Sequence, residues 1–459
     1  MTRRALTLAT CALLLAGASR AALPASQTPA PPGHHVVIIS LDGFAGWAID
    51  DPHLPVPTLR RLAAGGATAR GGMRPVNPTV TWPNHTSMVS GVSSARHGLL
   101  YNGLLVRAPG MPPRIEPWRD RNEMVRARTL YDAAHERGLT TAQVDWVAIQ
   151  NAPTITWEFP ERPDPGGQVA REMVKAGLIS AEDLAAFHSR NVVWRDQIWT
   201  DAAIHILRQH RPNLLMYHLL NLDSTQHRHG PRTPAATSVM ALADTHVAAI
   251  LRTLDETGLA PRTTVVVVSD HGFKAVKRQV RPNVALRAAG LLQAEADKVS
   301  RADAYVLSAG GSAMVYVTVP DRSGDVLRKA KQALAGMEGI EGIVEPAEFA
   351  RHGLPHPDAS DQVGVLWLKA RDGYAFSNAL GEATVVDAAE GSLGAHGYDA
   401  SDPDLRALFI ASGRGIRPGV VVDAVSTLDL APTLARLLGV ELKQVEGRVL
   451  TEILADELP

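Results

Sequence analysis

The chain has 459 residues, of which 45% are hydrophobic, so it can bury a large core and form two or three domains or one large α/β domain with an insertion. The formal net charge is −1 at pH 7, which argues against a general electrostatic attraction to nucleic acid or to an anionic membrane. Cys11 is the only cysteine, so a chain from which the N-terminus has been cleaved would have no disulfide and no thiolate metal ligand.

The N-terminus has the layout of a secretory signal peptide. Arg3 and Arg4 give a basic start, and an apolar run follows from Ala5 to Ala18. Small residues offer two possible cleavage sites, A-G-A at 16–18 and S-R-A at 19–21. The apolar run is too short to span a membrane, and we predict no transmembrane span elsewhere. We therefore predict a signal peptide over 1–21, a Pro-rich linker over 22–33 and a secreted or periplasmic product. An uncleaved N-terminal anchor is the alternative.

Apolar runs and helical patterns then alternate along the chain. Residues 36–41 form a continuous apolar run that ends at Asp42, which is typical of a central parallel strand. A helix is predicted from Pro57 to a stop at Gly65. Further strands are predicted over 214–223, 263–270 and 405–413, and further helices over 247–258 and 426–439. This alternation predicts an α/β fold, with a mostly parallel sheet sandwiched by helices.

Residues 276–390 interrupt this alternation. They contain a predicted helix at 283–295, a predicted strand at 312–319 and a predicted helix at 325–337. We predict that they form a smaller α+β insertion, or cap, on a core made of residues 34–275 and 391–459.

Acidic and imidazole side chains follow the ends of the predicted strands. The carboxyl ends of parallel strands share one edge of a sheet, so residues that are distant in sequence should converge there. Asp and His together suit zinc or a similar divalent ion, and six such ligands suit two ions about 4 Å apart, which can hold both oxygens of a phosphoryl displacement. Each residue alone is more often structural, and the prediction depends on their joint placement. The six candidates are Asp42, Asp223, His227, Asp270, His271 and His396.

The stretch TVTWPNHTSMVSG, residues 79–91, allows two interpretations. Pro and Asn are common in surface turns for backbone reasons alone. Alternatively, the stretch presents a nucleophile at the mouth of a site.

Five segments resemble the nucleotide pyrophosphatase/phosphodiesterase family of the alkaline phosphatase superfamily. They span most of residues 35–415 in the family's order, and the block around TWPNH is the most specific of them. The resemblance implies an alkaline-phosphatase-like fold and a hydrolase. The segments are VVIISLDGF, TWPNHTSMVSGVSSARHGLLYNG, LDSTQHRHG, VVVVSDHGF and GAHGYDASDPDLRALFIASG.

The resemblance also implies roles for particular residues. Thr81 takes the place of the family's nucleophile, Asn102 that of the asparagine that holds a phosphate oxygen, and Trp82 that of an aromatic residue that stacks on the nucleotide base. Asn84 and His85 are interpreted as structural residues that fix the turn presenting Thr81. One zinc would be held by Asp223, His227 and His396, and the other by Asp42, Asp270, His271 and Thr81.

The sequence therefore predicts an exported two-zinc phosphodiesterase or nucleotide pyrophosphatase that works through a covalent phosphothreonine. A phosphomonoesterase or phosphonate hydrolase on the same site is the alternative, and a non-catalytic exported binding protein is a minor one. A sulfatase is disfavoured because it needs Cys or Ser where Thr81 stands. The family's W-P-G-S element is absent, and Trp146 and Trp157 are candidates to supply aromatic surface in its place. The expected partner is a small phosphodiester or nucleotide, and no nucleic-acid-binding patch is predicted.

Overall fold

A computed structural model describes residues 33–296 and 298–456. The predicted signal peptide and all of the predicted linker except Gly33 lie outside the described residues. The strands, in chain order, are β1 (His35–Leu41), β2 (Ala67–Ala69), β3 (Leu104–Val106), β4 (Arg114–Glu116), β5 (Thr141–Val144), β6 (Trp157–Phe159), β7 (Leu214–Leu219), β8 (Thr263–Val268), β9 (Lys274–Ala275), β10 (Arg278–Val280), β11 (Leu292–Glu295), β12 (Lys298–Ala302), β13 (Ala304–Ser308), β14 (Ser312–Val317), β15 (Ile340–Val344), β16 (Leu366–Ala370), β17 (Tyr374–Phe376), β18 (Val385–Asp387), β19 (Gly394–Ala395), β20 (Phe409–Gly413) and β21 (Val420–Val422).

The α-helices flank these strands, and short 3₁₀ turns connect several of the elements. The helices are α1 (Pro57–Ala64), α2 (Thr81–Ser90), α3 (Ser94–His97), α4 (Arg121–Met124), α5 (Leu130–Glu136), α6 (Gln168–Lys175), α7 (Ala181–Ala185), α8 (Val192–Gln209), α9 (Asn221–His229), α10 (Pro234–Glu256), α11 (Pro282–Ala288), α12 (Ser323–Leu334), α13 (Pro346–Phe349) and α14 (Leu430–Leu438).

An eight-stranded sheet forms the centre of the fold, in the order β21-β2-β20-β8-β1-β7-β5-β6. Strands β8, β1, β7, β5 and β6 run parallel, whereas β20 pairs antiparallel with both β8 and β2. The predicted mostly parallel sheet is therefore confirmed. Its antiparallel member is the strand that was predicted near residues 405–413.

Both faces of this sheet are covered, which explains the continuous apolar runs. Within β1, Val37 and Ile39 pack into a core that includes α1, α6, α8 and α10. Their neighbours Val36 and Ile38 point the other way, into a core that includes α2, α5 and α14. A strand that is buried on both faces needs apolar residues at every position.

Residues 278–387 form separate, smaller sheets. Strands β13, β14, β16 and β15 make an antiparallel sheet of their own, and these strands share a core with α11 and α12. The boundaries 276–390 stay a prediction. The helix predicted over 283–295 ends at Ala288, because Gly290 turns the chain at φ +72° and residues 292–295 pair with β12.

Helix α10 is, in the part of the chain that the structure describes, the one helix long and apolar enough to pass a length-and-composition test for a membrane span. Its apolar face, with Val247, Ile250 and Leu254, packs in the core beside α8 and α1. Core helices of soluble proteins pass the same test, so this finding does not alter the prediction of no transmembrane span.

Helix α10 also caps α1. The N-cap residue of α1, Val56, has no side-chain acceptor, and the Asp244 carboxylate accepts instead from the backbone N–H groups of Thr58 at 3.1 Å and Leu59 at 2.7 Å. Asp244 is buried, so its loss leaves two buried donors without a partner.

We expect Asp244→Ala to lower the free energy of unfolding by about 1–3 kcal/mol, measured by denaturant unfolding. Asp255→Ala, an exposed residue at the end of the same helix, is the matched control and should change stability by less than about 0.5 kcal/mol. Equal effects of the two substitutions would contradict the capping role.

Candidate metal centre and active site

Three buried aspartates meet at the carboxyl edge of the central sheet. Asp42 directly follows β1, and Asp270 lies two residues beyond β8, the strand paired with β1. Asp223 follows β7, which pairs with β1 on its other side. Asp42 and Asp270 are fully buried and Asp223 is 9% exposed, so the sheet order brings three carboxylates out of water together.

The position of Asp223 differs from the predicted strand end. Strand β7 ends at Leu219, and Asp223 lies in the first turn of α9. The buried carboxylate of Asp196, on α8, accepts from the backbone N–H groups of Leu220 and Asn221, both at 3.1 Å, and so fixes the start of this helix. Because α9 is a helix, Asp223 and His227 lie one turn apart on the same face, with His227 Nε2 3.5 Å from Asp223 Oδ1.

The imidazoles lie against these carboxylates. His271 Nε2 is 3.0 Å from Asp270 Oδ2 and 3.6 Å from Asp42 Oδ1. The ring of His396 stacks on that of His271 at 3.8 Å, and His396 Nε2 is 3.7 Å from Asp223 Oδ1.

The ligand atoms form two groups at this edge, and within each group all the atoms lie within 4.8 Å of one another. One group is Asp42, Asp270 and His271, and the other is Asp223, His271 and His396. His271 takes part in both groups. His227 lies beside the second group and is more exposed than its neighbours.

Hydrogen bonds orient two of the imidazoles. A carbonyl oxygen only accepts, so His227 Nδ1–H donates to Gly394 O at 3.0 Å and His396 Nδ1–H donates to Thr79 O at 2.8 Å. Both rings therefore turn Nε2 towards Asp223. Metal-binding histidines are typically held in this way, by a hydrogen bond from the other ring nitrogen.

The loop that carries His396 depends on Gly397. Its φ is +82°, and a Cβ atom there would lie 1.6 Å from the carbonyl oxygen of Ala309. Only glycine fits so close to the loop between β13 and β14.

The carboxylates of Asp42 and Asp270 are each held by one oxygen and left open at the other. Asp42 Oδ2 accepts from His218 Nε2 at 3.2 Å, and Asp270 Oδ1 accepts from the backbone N–H of Gly43 at 3.2 Å. Buried polar atoms normally have partners, and a cation at this point would supply one. The site atoms without a hydrogen-bond partner among the described residues are Asp42 Oδ1, Asp223 Oδ1, Asp270 Oδ2 and both ring nitrogens of His271.

The electrostatics of the site favour a cation. Burial, followed by the charges of Asp270 and Asp223, raises the pKa of Asp42 well above its ordinary value. Burial lowers the pKa of His271, but the attractions of Asp270, Asp42 and Asp223 outweigh it and raise that pKa to about 9. Without a metal, a proton on His271 therefore offsets part of the negative charge.

Thr81 is the first residue of α2, and every residue of this helix is buried. The surface-turn interpretation of residues 79–91 is therefore wrong for Thr81–Ser90. Residue His85, one turn along, donates from Nδ1 to Thr81 O at 2.9 Å and accepts at Nε2 from Ser40 Oγ at 2.8 Å. The Asn84 side chain bonds the backbone of Val76. Both side chains fix the start of α2, as expected of structural residues.

The start of α2 lies beside the ligand cluster. Thr79, two residues before Thr81, accepts from His396, and His85 Nδ1 lies 3.8 Å from Asp270 Oδ2. Asn102 is exposed, and its Oδ1 accepts from the backbone N–H of Trp82 at 2.9 Å, so its amide NH₂ group is not used in this contact.

Aromatic residues next to Thr81 are arranged differently from the expectation. Trp82 is 7% exposed and packs with Leu99 and Met124, and the ring of Trp118 meets it edge-on at 6.3 Å. Trp146 packs against His85, and Trp157 stacks on the distant His210. The suggestion that Trp146 and Trp157 line the substrate site is therefore wrong, and Trp118 is the tryptophan beside Trp82.

The sequence interpretation missed His218 and Asp145. His218 lies buried in β7, where its Nε2 reaches Asp42 and its Nδ1 lies 3.1 Å from Asp145 Oδ2. Hydrogen bonds and attraction from these carboxylates outweigh burial and raise the pKa of His218 well above its ordinary value. A histidine inside the apolar run LLMYHL was the available signal, because a buried polar side chain requires a partner.

Comparison with known proteins agrees with this geometry. Residues 36–399 match the family described as type I phosphodiesterase/nucleotide pyrophosphatase, which makes the protein a hydrolase of phosphoric ester or anhydride bonds. The chain therefore belongs to the nucleotide pyrophosphatase/phosphodiesterase family, and its α/β fold is alkaline-phosphatase-like.

Individual relatives are distant but extend along most of the chain. Human ectonucleotide pyrophosphatase/phosphodiesterase family member 7 is 22% identical over 424 residues, covering 91% of this chain and 82% of the relative. Ectonucleotide pyrophosphatase/phosphodiesterase 2 of Saccharomyces cerevisiae is 23% identical, covering 90% and 84%. The structure of murine ectonucleotide pyrophosphatase/phosphodiesterase 5 matches with a TM-score of 0.68 at 18% identity, covering 92% of this chain and 100% of that one. An inactive threonine-to-alanine variant of the murine protein has been solved in complex with AMP.

We expect His218→Gln to weaken zinc binding by about 10–100-fold, because Asp42 loses the donor that orients it. Competition with a chromogenic chelator measures this affinity. His229→Gln, on the exposed side of α9, is the control and should bind zinc as the wild type does. Unchanged affinity in His218→Gln would contradict the orienting role.

We also expect zinc affinity to rise with pH. His271 is protonated below its pKa of about 9 in the metal-free protein, and a metal ligand must be unprotonated. If zinc displaces one proton, its apparent association constant should rise about tenfold for each unit of pH below this pKa. Above this pKa the association constant should change little with pH. Chelator competition at several pH values between 6.5 and 9.5, corrected for the chelator's own protonation, measures the slope. A flat profile would contradict the displacement of a proton.

Proposed function

We propose that the protein is an exported phosphodiesterase or nucleotide pyrophosphatase that uses two divalent metal ions, zinc in the first instance. The observation that carries the proposal is the cluster of buried ligand atoms without hydrogen-bond partners, placed beside the first residue of α2. A cation fits because these atoms are carboxylate oxygens and imidazole nitrogens, the donors that zinc takes in proteins.

The ligands divide into two sets around His271. Asp42, Asp270 and His271 suit one ion, together with Thr81. Asp223 and His396 suit the other, with His227 as the third ligand from α9. When bound, such ions lower the pKa of a hydroxyl group and neutralise the charge that develops on phosphate oxygens.

Thr81 is the proposed nucleophile. Its Oγ forms a bond to phosphorus as the bond from phosphorus to the leaving oxygen breaks, and the hydroxyl proton passes to solvent. With a nucleotide diester, the phosphoryl group on Thr81 carries the nucleoside. Water then adds to phosphorus and breaks the bond to Thr81 Oγ, which regenerates the hydroxyl. Two in-line displacements give net retention of configuration at phosphorus.

The surroundings of Thr81 support a phosphate ligand. The N-terminus of a ten-residue helix carries a partial positive charge, which attracts an anion. The Asn102 amide is held at this helix end by the Trp82 N–H, so its NH₂ group is oriented to donate to a non-bridging phosphate oxygen. Preorganised donors of this kind stabilise charge as it develops.

The substrate class is proposed to include nucleotides. The murine relative solved with AMP supports this, as does the tryptophan pair Trp82 and Trp118 next to the helix start. Trp82 is largely buried, so a base would contact its remaining exposed part. Export is supported by the basic and apolar pattern of residues 1–21.

We expect Thr81→Ala to lower kcat/KM for a p-nitrophenyl nucleotide diester by roughly 10³-fold or more, because the nucleophile is lost. Thr81→Ser keeps a hydroxyl and should retain measurable activity. Both variants should unfold at the temperature of the wild type. Acid-quenched wild-type enzyme should carry the nucleotidyl group on Thr81, detected by peptide mass spectrometry. Thr81→Ala as active as wild type would overturn the assignment.

The same assay separates the alternatives. A preference of tenfold or more for the diester over p-nitrophenyl phosphate supports the phosphodiesterase. A preference for the monoester would retain the metal centre and replace the substrate class. Stoichiometric zinc binding with no turnover of either substrate would favour a binding role.

A further inference from the structure

A further cluster of possible metal ligands, made of one glutamate and two histidines, lies far from the site described above. Glu172 Oε2, on α6, lies 3.0 Å from His205 Nε2 and 2.7 Å from His210 Nε2. His205 is on α8, and His210 directly follows the last residue of this helix, as its C-cap. Three ligand atoms, from α6, α8 and the C-cap of α8, therefore lie within 4.8 Å of one another.

The cluster is at the opposite edge of the central sheet. The C-terminal end of α8 precedes the beginning of β7, whereas Asp223 lies beyond the end of β7. A six-residue strand spans roughly 20 Å at about 3.3 Å per residue, so the cluster is well separated from the catalytic edge. No residue belongs to both clusters.

The donor set is one that zinc uses. Two imidazoles and one glutamate form the three-ligand sites in which water takes the fourth position. The side chains of His205 and His210 are 10% and 13% exposed, and that of Glu172 is 30% exposed, so solvent reaches one side of the cluster. No lysine or arginine pairs with Glu172 within the ranges 33–296 and 298–456.

Neighbouring side chains hold the three groups in place. Gln168 donates to Glu172 Oε1 at 2.9 Å, which directs Oε2 to the histidines. The ring of Trp157 stacks on His210 at 4.7 Å with an interplanar angle of 20°. Burial raises the pKa of Glu172, but the hydrogen bonds from Gln168, His205 and His210 outweigh it and lower that pKa to about 2, so the carboxylate is ionised at neutral pH.

Little movement is needed to admit an ion. Tetrahedral ligands at about 2.0 Å from zinc lie roughly 3.3 Å apart, so the two present contacts with Glu172 would each lengthen by less than about 1 Å. Side-chain rotations of partly exposed residues can supply this.

We propose that Glu172, His205 and His210 form a separate site for a divalent transition-metal ion of the zinc class, with water as the fourth ligand. The ion fastens α6 to the end of α8, beside the edge strand β6. Its role is to stabilise this corner of the fold, because no part of the catalytic cluster is within reach.

The test counts zinc on the full chain after removal of metal by a chelator. Protein is titrated with Zn²⁺, separated from free ion and measured by atomic emission. We expect His205→Ala/His210→Ala to bind one equivalent fewer than wild type, with kcat/KM for the nucleotide diester within about twofold of wild type. The control His53→Ala/His135→Ala removes two exposed histidines and should bind as many equivalents as wild type. Equal zinc content in wild type and in His205→Ala/His210→Ala would overturn the proposal.

Glu172→Gln provides a second test that preserves the packing. Glutamine keeps the size and an acceptor oxygen but removes the charge, so zinc binding at this site should weaken about tenfold or more. The rise in Tm that zinc gives the wild type should be smaller in this variant. If both are unchanged, the cluster is a hydrogen-bond network only. A wild type without diesterase activity that still binds the Glu172-dependent equivalent would count against the proposed function and not against this site.

Discussion

The rest of the structure depends on three carboxylates buried together at one edge of the sheet. Asp42, Asp223 and Asp270 are brought there by adjacent parallel strands, and their charges repel one another in a region with little water. Such an arrangement is unfavourable unless positive charge enters it. The protein supplies a part of this charge itself, through His218 and a protonated His271. The open oxygen atoms indicate where a metal ion would supply the remainder.

The surrounding elements serve to orient these groups. The carbonyl of Thr79 orients His396, and that of Gly394 orients His227. In the same way His218 orients Asp42, and the backbone N–H of Gly43 orients Asp270. Thr79 precedes α2, and Gly394 is in the short strand β19, so the ligand geometry is coupled to the backbone of both segments. A change in either segment should therefore act on the metal centre through the tautomer and direction of a ring.

Helix α2 connects the cluster of candidate metal ligands with the proposed substrate position. Its first turn places Thr81 next to the ligands, and Asn102 and Trp82 are joined at the same point by a hydrogen bond. His85, buried and neutral with its pKa lowered to about 3, links the start of the helix to Ser40 at the end of β1. The proposed nucleophile is thus presented by the start of a buried helix and not by an exposed loop, which favours an accurate approach to phosphorus.

The sequence alone predicted the α/β class, the central strands, the helices beginning at Pro57 and near Ser426, and the six Asp and His candidates, because these follow from local periodicity and from residues that come directly after apolar runs. The family followed from the TWPNH block and its companions. Only the tertiary structure decided that residues 81–90 form a buried helix, that Asp223 lies on α9, that His218 links Asp42 to Asp145, and that Glu172 meets His205 and His210. Each of these depends on contacts between segments distant in the chain, and such contacts leave no periodic signal in the sequence.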